Sequence, residues 1–107
     1  MKTPSVLLLA LLVLLLYSNC QRNVYQLVGY HMSTDQHTQL RAILQLNQQQ
    51  QATARATYRA GSAARRRELR RIEATTQQQL ELLLSPDQLT NFRSNRDKIE
   101  RRFRDER

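Results

Sequence analysis

One cysteine, two glycines, two prolines, two phenylalanines and no tryptophan in 107 residues leave much chemistry out of reach. With Cys20 alone, no internal disulfide can form, so in an oxidising compartment the folded part depends on packing. Glycines only at positions 29 and 61 exclude a Gly-rich phosphate loop. The two histidines, His31 and His37, could share a metal with Met32, but they straddle a helix cap and lack a third strong ligand, so they read as surface residues. No nucleophile has a matching His and acid, and no carboxylate pair sits in an apolar surround. The chain therefore reads as a non-enzyme that needs no cofactor.

Acidic residues are scarce too: nine face seventeen basic ones, a net charge of +8. Long apolar runs are limited to Val6 to Leu16, which follows Lys2 and precedes Tyr17-Ser18-Asn19-Cys20. That run is short for a bilayer span and reads as the core of an export signal, the alternative being an anchor that is never removed. Cys20 stands where a lipoprotein signal places the residue that becomes lipidated. Cleavage after Cys20, with Ser18 and Cys20 as the small residues, is the other possible cut. Residues 1–19 are thus a signal, 20–32 a tether and 33–107 the folded domain. Loss of Lys2 leaves +7. Export removes nucleic acid from reach and leaves anionic lipid, lipopolysaccharide or acidic unfolded polypeptides as counterparts.

What the chain does have is one helix-start signal written twice. In Leu84-Ser85-Pro86-Asp87-Gln88-Leu89, Ser85 can cap a free backbone N–H, Pro86 occupies the first helical position, and Gln88 can reach back to close a capping box. Leu84 and Leu89 have the spacing of a hydrophobic staple. Met32-Ser33-Thr34-Asp35-Gln36 repeats the pattern upstream.

From Ser33 the period is helical, with Leu40, Ile43 and Leu44 on one face, thinning to Asn47, Gln50, Ala54 and Tyr58 beside the run Gln48 to Gln51. A second stripe follows at Leu69, Ile72, Thr76, Leu80 and Leu83, and a third at Leu89, Phe92, Arg96, Ile99 and Phe103. Ala60-Gly61-Ser62-Ala63 falls midway between the boxes. A turn there gives an all-α helical hairpin plus a C-terminal helix that folds back, setting Ile99 near Ile72 and Phe103 near Leu69. Yet the stripe stays in phase through Gly61, so one long helix plus a short one is the alternative. Asp97 with Arg101 and Glu100 with Arg104 are spaced as ion pairs on the outer face of the last helix. The core is small, and a homodimer would relieve that shortage.

Arg65, Arg66, Arg67, Arg70 and Arg71 form the basic cluster. Only Tyr58 lies near enough to stack a base, which disfavours nucleic acid. The cluster reads either as a solvated helix face or as a binding site for acidic partners.

The paired motifs resemble the LTxxQ motif that occurs twice in the Spy and CpxP family of bacterial periplasmic proteins. The resemblance runs from Met32 onward, with Ser for Thr in both copies and Met for Leu in the first. It implies an all-helical, ATP-independent stress protein of the periplasm that binds unfolded clients or restrains an envelope-stress sensor. ZraP and CnrX, relatives in the same superfamily, bind metals, so a metal-responsive sensor is the second reading and a small structural lipoprotein the third. Carried over residue by residue, the motif positions are Met32, Ser33 and Gln36 with Leu84, Ser85 and Gln88, in the role of locking helix starts together.

Overall fold

The structure, a computed structural model, describes residues 23–29 and 31–106; the export segment and Cys20 lie outside them. All regular structure among these residues is helical: α1 Val24–Val28, α2 Thr34–Thr57, α3 Ala63–Leu83 and α4 Pro86–Asp105.

The chain turns at Gly61, so the hairpin forms and the continuous helix does not. Tyr58 leaves helical geometry with ψ at 142°, and Gly61 takes φ +75°, a left-handed conformation that glycine alone adopts without a Cβ penalty. The N–H of Ser62 closes the turn on the Arg59 carbonyl at 3.0 Å. Its hydroxyl then accepts from the N–H of Arg65 at 3.1 Å, restarting the chain as α3. α2 and α3 lie side by side. Near the middle of this pair, apolar contacts give way to a polar layer. Buried Asn47 donates to the Thr76 hydroxyl at 2.7 Å, and that hydroxyl donates to the Ile72 carbonyl at 2.9 Å, so neither polar side chain is left unpaired in the interior.

The core sits at the other end of the hairpin. Leu40 and Leu44 of α2, Leu80 and Leu84 at the end of α3, and Phe92, Ile99 and Phe103 of α4 are buried together. Burying each of these side chains is worth about 1.5–3 kcal/mol relative to leaving it in water. The segment expected to be a tether completes that core. Val24, Leu27, Val28 and Met32 are all buried, and α1 packs along α4. Asn23 caps α1, while the side-chain amides of Asn91 and Asn95 donate to the Val28 and Leu27 carbonyls at 3.0 Å each. These two bonds satisfy carbonyls that so short a helix leaves without partners.

With α1 in place, α4 packs chiefly along α1 and meets both helices of the hairpin mainly through side chains. Phe103 therefore does not meet Leu69; its ring lies 5.3 Å from that of His37 and beneath the guanidinium of Arg41. Ile72 is buried apart from the cluster that holds Ile99. The ion pairs differ from expectation as well. Glu100 binds Arg96 at 3.0 Å, and the guanidinium of Arg101 reaches the Asp97 carbonyl instead of its carboxylate. Arg96, partly buried between helices, also bonds Glu73 of α3, and this lower-dielectric site outcompetes the exposed spacing of Glu100 with Arg104.

Candidate binding surfaces

Both capping boxes form, and the hairpin brings them together. The Ser33 and Ser85 hydroxyls accept the N–H groups of Gln36 and Gln88 at 3.0 and 3.2 Å. Each glutamine Oε1 in turn accepts the N–H of its own serine, at 2.9 and 3.0 Å. Gln36 Nε2 further donates to the Leu83 carbonyl at 3.0 Å, a last-turn acceptor of α3 that has no partner within its own helix. Met32, Leu84 and Gln88 are buried, and the serines are exposed. The six motif residues thus converge on one structural joint. None of them lines the grooves described below.

The arginines lie at the opposite end, around the hairpin tip. Arg65, Arg66, Arg67, Arg70 and Arg71 occupy the first turns of α3, and the fold adds Arg55 from the end of α2 and Arg59 from the turn. Between residues 55 and 71, seven arginines face the single acid Glu68, a net +6, whereas the other described residues carry seven basic and eight acidic side chains, a net −1. Pairing follows the same division. In the body, Arg41 binds Glu106, Arg93 lies near Glu81, and Arg96 holds Glu73 and Glu100. At the tip, only Arg71 has an ion-pair partner among the described residues. That partner is Glu68, whose carboxyl the Arg71 hydrogen bond holds below its ordinary range. Cations in the first turns of a helix oppose its dipole, and α3 has no acid in its first turn. The cluster is therefore placed at a cost to stability.

A third surface lies on the side of the hairpin that α4 leaves open. One groove of about 580 Å³ is lined by Gln39, Ala42, Ile43, Gln79, Leu82 and Leu83. A second, of about 460 Å³, runs past Leu46, Gln49, Gln50 and Thr53 to Tyr58 at the tip. Glu68 is the one charged side chain in their walls. Leu82 is 89% and Leu46 46% exposed, although both are large apolar residues. Such a face can hold apolar segments weakly, and it ends at the basic tip.

His31 and His37 do not act as a pair. His31 is exposed at φ +60°, while the ring of His37 stacks on that of Tyr25 at 4.6 Å and meets Phe103 edge-on. Burial lowers the pKa of His37, opposed by Glu106 and aided by Arg41. Among the described residues, no three His, Cys, Asp or Glu side chains converge as metal ligands. No helix among them is long and apolar enough to cross a membrane.

Sequence reasoning missed Arg55, Arg59, Leu46 and Leu82 as surface residues of interest. The two arginines flank Gly61 from the side of α2, and both leucines fall out of phase with the buried stripes, signals that were present but weak. No protein-family model, curated protein or solved structure matches this chain. The reading of its function therefore rests on these surfaces and on the paired motifs.

Proposed function

We propose that this chain is an ATP-independent chaperone or envelope-stress adaptor of the Spy and CpxP type, which holds partly unfolded, acidic polypeptides in the periplasm. The observation that carries this reading is the nearness of two kinds of surface: grooves that expose Leu82 and Leu46, with Glu68 as their one charged wall residue, lie along the hairpin up to a tip where every arginine but Arg71 lacks an ion-pair partner among the described residues. An unfolded acidic chain offers matching features, apolar side chains interspersed with carboxylates. The arginines draw it in over a Debye length of about 10 Å, and the groove supplies short-range contact. Few apolar residues are exposed, so holding is weak and release needs no nucleotide.

The joint at Gln36 and Gln88 is structural in this reading. It fixes both helix starts while the working surfaces lie elsewhere on the hairpin. Export and attachment through Cys20 would place the surface where envelope proteins unfold.

The test is suppression of aggregation of an acidic client by residues 21–107, a span that contains every core residue from Val24 to Phe103. Suppression without ATP, weakened when Arg65, Arg66, Arg67, Arg70 and Arg71 are replaced by Gln, is the expected result. Its absence at low salt and several-fold molar excess overturns the proposal.

A further inference from the structure

We propose that the hairpin tip docks on anionic phospholipid membranes, end-on, through Arg55, Arg59, Arg65, Arg67 and Arg70. This goes beyond client binding, with Arg65, Arg67 and Arg70 common to both surfaces. The first argument is segregation of charge: residues 55–71 carry a net +6 while the rest of the described chain carries −1. In the field of a negatively charged leaflet, such a molecule turns its tip to the surface.

The second argument is that the body's principal arginines are spent on carboxylates, whereas these five have no ion-pair partner among the described residues. Their full charge is available to phosphate.

The apex itself suits a head-group surface. The apex residues Ala60 and Gly61 are small and exposed, and a side chain added at Gly61 would meet nothing within 4 Å. Such an apex has no bulk to hold the flanking arginines off a planar surface. Tyr58, 37% exposed beside the apex, adds an amphipathic ring suited to the head-group layer. The run Val6 to Leu16 behind Lys2 is itself a membrane-directed sequence, which makes head groups the nearest polyanion. A single acyl chain holds a protein only marginally, and a polybasic patch is a second signal that makes such attachment stable.

The experiment is co-sedimentation of residues 21–107 with vesicles of phosphatidylcholine alone or with about 30 mol % phosphatidylglycerol, a composition giving a negative surface potential. Each arginine near such a surface is worth roughly fivefold in partition. Replacing Arg59, Arg65, Arg67 and Arg70 by Gln should therefore weaken binding by more than ~100-fold. Replacing Arg93, Lys98, Arg101 and Arg104 removes the same charge from α4 and should cost less than about tenfold. In Tyr58→Trp, the chain's single indole should shift to the blue on anionic vesicles only, a readout that does not depend on the arginine variants folding. Equal losses in the two variants, equal binding to neutral vesicles, or an unshifted indole would overturn the proposal. Tip-dependent binding to polyglutamate with none to vesicles would also overturn it and assign the tip to acidic polypeptide.

Discussion

Gln36 and Gln88, 52 residues apart, exchange side-chain hydrogen bonds: Gln36 Nε2 donates to Gln88 Oε1 at 2.9 Å, and Gln88 Nε2 returns a bond to Gln36 Oε1 at 3.3 Å. Each amide already serves the cap of its own helix, so two local signals are tied into one tertiary joint. Truncating either glutamine removes both cross bonds and the return bond of its own box, at a cost of about 1–3 kcal/mol. Gln36→Ala and Gln88→Ala should accordingly be non-additive. A double-mutant cycle in denaturant is expected to give a coupling of about 1 kcal/mol, and additive effects would show that the joint contributes nothing.

The turn offers a cleaner test of backbone conformation. Because a Cβ at Gly61 meets open space while φ is +75°, Gly61→Ala costs strain alone, about 1–2 kcal/mol. Gly61→Asn should recover part of it, since Asn tolerates left-handed geometry better than Ala. Helix content should be unchanged in both, and equal melting temperatures for Ala and Gly would contradict the turn.

Acidification should loosen the joint between α1 and α2. Burial holds the pKa of His37 below its ordinary value, so the unfolded chain takes up the proton more readily than the folded one. Stability from this residue is complete above about pH 6.5 and is lost as pH falls towards the lowered folded value. The melting temperature should drop between pH 7.5 and 5.5, above the carboxylate range. His37→Phe keeps a ring against Tyr25 and removes the titration, so its drop should be smaller. Parallel behaviour of the two proteins would exclude His37 as the cause.

What the sequence made legible was local. Ser33 with Gln36 and Ser85 with Gln88 act over three residues, and both boxes form as their spacing requires. The stripes through Leu40 and Leu44, Ile72 and Leu80, and Phe92, Ile99 and Phe103 repeat at the helical period, and all seven residues are buried. α1 was not legible. Five residues are too few to show a period, and Asn91 and Asn95, more than sixty positions away, supply bonds that hold it. Missing α1 also misplaced Phe103, because the space assigned to it depends on which element α4 packs against. The tip was half legible: the five arginines of α3 stand together in the chain, whereas Arg55 and Arg59 join them only once Gly61 turns.

The proposed client surface is the grooved face of the α2–α3 hairpin together with its basic tip. Site-specific photocrosslinking tests it most directly, with a benzophenone side chain placed at Leu46, Leu82 or Arg67, or at the exposed α4 positions Ser94 and Lys98. With an acidic unfolded polypeptide, adducts should form from positions 46, 82 and 67 and be lost at high salt first at 67. Adducts from positions 94 and 98 with none from 46 and 82 would place the client on α4 and contradict the account.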